Sequence, residues 1–229
     1  MKSTPFDMSS WSLVTPEQDQ NGNARHYGPD ELLANPPRFC SVYSDHLRLY
    51  APVQLSYHLM LEPAATELVE IGSGWYYQDA GHTLSCDLAV DEVPSSGNVV
   101  VGQLCMGGGR IPPVEIRYKH SEKRGTGKLY VTIREKFGYG LTTSPILTEI
   151  DLTQRFRYSL EVTNKGNLIV TASTKDTMNT ILGSLHGYDN QPLLYRAGAF
   201  NREDIKAHQA GEASVVRLYK ATIEHIVGV

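Results

Sequence analysis

Alternation with a period of two limits this chain more than any other feature. Leu84, Cys86, Leu88 and Val90 alternate with Ser85, Asp87 and Asp91. Leu129, Val131 and Ile133 alternate with Tyr130, Thr132, Arg134 and Lys136, and Phe156, Tyr158, Leu160 and Val162 with Arg157, Ser159 and Glu161. Successive side chains of a strand point to opposite faces, so segments of this kind bury one face and wet the other. The pattern recurs from Leu47 to Ala51 and in a last strand from Ala213 to Ile226. Turn chemistry separates the runs: Pro94-Ser95-Ser96-Gly97, Gly107-Gly108-Gly109, Arg124-Gly125-Thr126-Gly127 and Asn164-Lys165-Gly166-Asn167. Only Asp30 to Ala34 and Lys175 to Leu182 suit short helices. The expected fold is all-β: an antiparallel β-sandwich, most plausibly a jelly roll, with a concave groove and few short helices. No linker-like break divides the 229 residues, so residues 1–229 read as a single domain.

Charge and motifs remove several function classes. Lys and Arg number 21 against 25 Asp and Glu, a net charge of −4, which excludes a global positive field for nucleic acid but not a local basic groove. No stretch approaches the roughly eighteen apolar residues that span a bilayer. The opening Met1-Lys2-Ser3-Thr4-Pro5-Phe6 has no apolar core of a secretory leader, although a chain whose leader had been removed would read the same. The cysteines Cys40, Cys86 and Cys105 form no C-x-x-C pair and read as reduced, buried thiols rather than a zinc site. H-E-x-x-H and G-x-S-x-G are absent, and Gly125-Thr126-Gly127-Lys128 runs into Leu129, which is no phosphate loop. No metal or organic cofactor is implied, and neither nucleic acid nor a membrane is an expected partner. Arg117 and Lys119, Arg134 and Lys136, Arg155 and Arg157, and Arg196 and Arg202 each share a strand parity. If several face one sheet, they line a groove suited to a polyanion, although ordinary solvated faces would show the same parity.

Several segments, in order, match the motifs of one known family. Trp11-Ser12-Leu13-Val14-Thr15-Pro16 resembles its W-x-L-x-x-P opening. Ala65-Thr66-Glu67-Leu68-Val69-Glu70 stands where the family reads R-[ST]-E-L-R-E. Val93-Pro94-Ser95 and, further on, Val101-Gly102-Gln103-Leu104-Cys105 resemble its V-P-S and I-G-Q-[IV]-H. Leu194-Tyr195-Arg196-Ala197-Gly198-Ala199-Phe200-Asn201 stands at Y-F-K-A-G-x-Y-x-Q, and Val215 to His225 resembles the closing strand.

Taken together these segments resemble the alginate lyase family of small jelly-roll polysaccharide lyases (polysaccharide lyase family seven), and the resemblance implies β-elimination on an acidic polysaccharide. Basic and amide groups bind the uronate carboxylate, and a histidine or tyrosine handles the proton. Matched position by position, Gln103 keeps the family glutamine and Arg196 replaces its lysine. Ala65 and Val69 replace two arginines, Cys105 the histidine, Phe200 the tyrosine and Arg202 the final glutamine. The expected catalytic residues are therefore Gln103 and Arg196, with Cys105, Tyr130, His58 or His82 as candidates for the displaced proton acceptor. Tyr118 shares parity with Val114 and Ile116 and reads as core. Glu67, Arg117, Arg134, Asn201 and Arg202 are the expected substrate-binding residues. Three readings follow: a lyase with a reorganised site; a silent relative that holds acidic glycan without cleaving it; and, more weakly, a neutral-sugar protein using Trp75, Tyr76 and Tyr77 as a platform.

Overall fold

A computed structural model describes residues 4–53, 65–107, 111–136, 139–201 and 211–226. The strands in chain order are β1 (Trp11–Gln18), β2 (Ala24–Tyr27), β3 (Cys40–Val42), β4 (Leu47–Pro52), β5 (Ala65–Glu70), β6 (Gly81–Glu92), β7 (Asn98–Met106), β8 (Val114–Ser121), β9 (Thr126–Lys136), β10 (Tyr139–Ile150), β11 (Arg155–Val162), β12 (Asn167–Ser173), β13 (Met178–Ser184), β14 (Leu193–Phe200) and β15 (Ala213–Ile226). One short helix, α1 (Pro29–Ala34), interrupts them, with Pro29 in its first turn and Leu32 buried.

All pairings between these strands are antiparallel and make two sheets. Sheet A has eight strands in the order β10-β9-β8-β7-β14-β5-β1-β2, and sheet B has seven in the order β13-β12-β11-β6-β15-β4-β3. The late strands β14 and β15 insert between early ones, the crossed connectivity of a jelly roll. The inward parity of each strand fills the space between sheets. Leu84, Leu88, Leu160, Val162, Leu168 and Val170 from sheet B meet Leu104, Val114, Ile116 and Tyr195 from sheet A in one continuous core. Each such aliphatic side chain contributes about 1.5–3 kcal/mol by leaving water.

Two glycines fix how closely the layers approach. A side chain on Gly102 would enter the ring of Tyr158, whose hydroxyl crosses the core to donate to Val101 O at 2.9 Å. Gly198 has φ +154, and a Cβ there would lie 2.7 Å from the Glu67 Cα, so β14 can sit flat against β5 only without one.

The segment from Lys175 to Leu182 is mostly strand rather than helix. Met178 to Ser184 pairs with β12 along its whole length as the outermost strand of sheet B. The three cysteines are free and buried.

Candidate functional site

The outward face of sheet A carries polar side chains that are nevertheless buried. Register aligns Val69, Arg196, Gln103, Glu115, Thr132 and Thr143 in one row across six strands. A second row runs Ala65, Phe200, Val100, Arg117, Tyr130 and Pro145. Glu67 lies between them, opposite Gly198. Buried polar groups must find partners or cost 1–3 kcal/mol each, roughly. The buried carboxylates, the amide and the Thr132 hydroxyl do, whereas among the described residues the buried Nε atoms of Arg117 and Arg196 make no hydrogen bond.

Glu67 is 1% exposed and central. Its Oε1 accepts from Gln103 Nε2 at 2.7 Å, and its Oε2 lies 3.8 Å from Arg196 Nη1. The thiol of Cys105 donates towards Gln103 Oε1 at 3.7 Å. With one amide hydrogen on Glu67 and its oxygen facing Cys105, the second N–H of Gln103 is left to meet a ligand. Across β7, Glu115 lies 3.4 Å from Arg117 Nη2 and 3.7 Å from Arg134 Nη1, which also donates to Pro112 O at 2.8 Å. Lys119, Lys128 and Lys136 share the outward parity of β8 and β9. Three arginines and these lysines stand against the two carboxylates, so the face is cationic and suited to a polyanion.

Five expected residues, Gln103, Arg196, Glu67, Arg117 and Arg134, come together here. Cys105 joins them at the floor, 5% exposed. Glu67 is consumed by its neighbours and holds Gln103 and Arg196 rather than presenting its own carboxylate. Tyr130 shares the face, but three strand spacings separate it from Phe200. That is about 14 Å at about 4.8 Å each, so it cannot reach the same atom of a bound sugar as a side chain at Phe200 would. Tyr118 is core, donating to Ile150 O at 3.0 Å, with burial pushing its pKa up to about 12.

Two expected residues lie elsewhere. His82 belongs to sheet B, stacked on Trp75 at 3.8 Å with its Nδ1 2.6 Å from His225 Nδ1. Burial, then the charge of His225, lowers its pKa to about 4. Its ring completes a chain that runs through His225 Nε2 to Glu70 at 2.8 Å. Glu70 also accepts from Trp75 Nε1 and the Tyr195 amide. This cluster also takes up Trp75, which stacks on His82 and donates to Glu70. Asn201 is 6% exposed and bonds across the sandwich, donating to Ala51 O at 2.6 Å and accepting from the Ser214 hydroxyl. Arg155 and Arg157, grouped with the groove cations by parity, are on the outer face of sheet B. His58 and Arg202 lie outside the described residues. Glu115 escaped the sequence reading, although its place between Val114 and Ile116 puts it on the parity of Arg117.

Comparison with known proteins bears on this arrangement. A family model described as alginate lyase matches residues 6–225. The solved alginate lyase of Pseudomonas aeruginosa is 22% identical, with a TM-score of 0.79 over 96% of this chain and 100% of that one. An alginate lyase from Klebsiella pneumoniae is 19% identical at TM-score 0.81, over 97% of this chain and 98% of that one. An exolytic family-seven alginate lyase from Zobellia galactanivorans is 15% identical at TM-score 0.74, covering 97% of this chain and 96% of that one. Comparison with curated proteins gives no match. At these identities the solved structures establish the jelly-roll fold, and the family model carries the assignment.

Proposed function

The chain belongs to the alginate lyase family, and from that premise we propose that the outward face of sheet A binds an acidic polysaccharide and cleaves it by β-elimination with a rearranged proton-handling group. The observation that carries this reading is the Gln103–Glu67–Arg196 unit, a preorganised amide and guanidinium side by side on a cationic face.

The uronate carboxylate accepts from the second N–H of Gln103 and from Arg196. Both donors stabilise the charge that builds on the carboxylate as the C5 proton leaves. That proton passes to a base, its electron pair forms the C4–C5 double bond, the C4–O4 bond breaks, and O4 departs with a proton. The base is Cys105, which must first give up the thiol proton it directs at Gln103 Oε1, or His58. Among the described residues no tyrosine on this face stands near Phe200, and the proton for O4 comes back from the same base or from water.

A second reading, binding without cleavage, draws on the paired non-polar residues Ala65 and Phe200, neither of which can exchange a proton or neutralise a carboxylate. The variants Gln103→Ala and Arg196→Ala test the shared claim. Either is expected to weaken retention in an alginate-containing native gel by roughly tenfold, the loss of one charge-assisted contact. Unchanged retention in both would remove this face as the site. If the protein turns over substrate, Cys105→Ala and His58→Ala identify the base by which one abolishes it.

A further inference from the structure

The outer face of sheet B, on the far side of the sandwich, carries a second ordered surface. Thr180, Thr171, Ser159, Ser85 and Thr222 stand in register across β13, β12, β11, β6 and β15, a single row of hydroxyls. One flanking row runs Met178, Ser173, Arg157, Asp87 and Lys220. The other runs Leu182, Ile169, Glu161, Thr83 and Glu224. Short side chains between long ones leave a trough perpendicular to the strands. A depression of about 370 Å³ opens in it over Ser85, Ser159, Thr171, Arg157 and Lys220.

The cations of the trough are built in rather than incidental. Asp87 is 5% exposed and grips Arg155 through Nε at 2.5 Å and Nη2 at 2.8 Å, and Arg157 through Nε at 2.9 Å. That fixes the Arg157 guanidinium through its Nε while the side chain stays 71% exposed. Lys220 stands beside Asp87 in register and is exposed. At the β13 end, Met178 and Leu182 are 72% and 74% exposed, large apolar side chains with no core to serve.

We propose that this trough is a second, non-catalytic binding surface for an extended uronate polysaccharide laid across the five strands. The strand spacing of about 4.8 Å is close to the length of one extended pyranose unit, so successive sugars meet successive hydroxyls. Arg157 and Lys220 take carboxylates, Glu161 and Glu224 accept from sugar hydroxyls, and Met178 and Leu182 pack on the C–H faces. The ligand class rests on the function proposed for sheet A; the trough itself does not. Held on both faces, one polymer particle gains effective concentration at the groove.

The test uses the full chain, ¹⁵N-labelled, with Gln103→Ala and Arg196→Ala silencing the sheet A face. Titration with an alginate oligosaccharide at low salt is expected to shift the backbone amides of β6, β11 and β12, and a neutral β-glucan oligosaccharide is expected to leave them unmoved. Adding Arg157→Glu and Lys220→Glu is expected to weaken the response at least about tenfold. Ser159→Tyr, which fills the trough without altering charge, is expected to do the same. No shift on these strands, an equal response to the neutral glycan, or shifts indifferent to all three substitutions would overturn the trough. Shifts on sheet B together with none on sheet A in the parent chain would instead sink the sheet A reading and leave the trough standing.

Discussion

At the residue scale, the site is a problem of keeping charges buried without orphaning them. Glu67 survives at 1% exposure because Gln103 and Arg196 both serve it. Glu67→Ala would leave that amide and guanidinium without their shared acceptor. It is expected to destabilise the fold by about 1–3 kcal/mol in denaturant unfolding and to weaken glycan binding, since both ligand donors lose their anchor. His82 gives a different readout. Its folded pKa of about 4 lies below the ordinary imidazole value of 6.5, so the unfolded chain takes up a proton first. Stability from this group is complete above about 6.5 and declines as pH falls from there towards 4. The groups facing it are His225, Trp75 and the Tyr76 carbonyl, with Asp79 nearby. Thermal unfolding between pH 7 and 4 is expected to show that decline, and His82→Asn to flatten it; an unaltered slope in the variant would contradict the assignment.

At the element scale, legibility followed burial. Strands β6, β9, β11 and β15 were readable because each buries one parity, and their alternation is written in the residues. Strand β13 is not, because as an edge strand it buries little of either face: Ile181 packs partly against the core, while Met178, Asn179, Thr180 and Leu182 are all exposed and leave no alternation to see. Parity also cannot say which sheet a strand joins. It grouped Arg155 and Arg157 with Arg117 and Arg134, yet β11 pairs with β6 and β12 on sheet B, while β8 and β9 lie on sheet A. His82, expected at the groove rim from its place near a loop, and Asn201, expected there from the motif resemblance, are both directed elsewhere by long-range pairings. Asn201 ties the end of β14 to β4 and β15. Asn201→Ala is therefore expected to cost about 1–3 kcal/mol of stability while the folded fraction binds glycan as tightly as the parent. A selective loss of binding would return it to the site.

At the scale of the whole molecule, the net charge of −4 hides a cationic surface on sheet A, formed by Arg196, Arg117 and Arg134 with neighbouring lysines; on sheet B, Arg157 and Lys220 stand among Asp87, Glu161 and Glu224. Both groupings exist because sheet geometry collects residues far apart in sequence onto one face. Binding through such contacts is expected to weaken as salt rises from 0.05 to 0.5 M, where screening shortens to a few ångströms, roughly, and salt-independent affinity would argue for a neutral-sugar ligand. Cleavage is the more demanding claim, because Ala65, Cys105 and Phe200 stand where the resemblance leads one to expect an arginine, a histidine and a tyrosine. The direct measurement is absorbance of the C4–C5 double bond while the pure, folded protein is incubated with polymannuronate, polyguluronate, polyglucuronate and mixed alginate. A rise with at least one polymer, abolished by Gln103→Ala or Arg196→Ala, is the expected result. A flat trace with all four would contradict lyase activity and leave a protein that holds acidic glycan without cutting it.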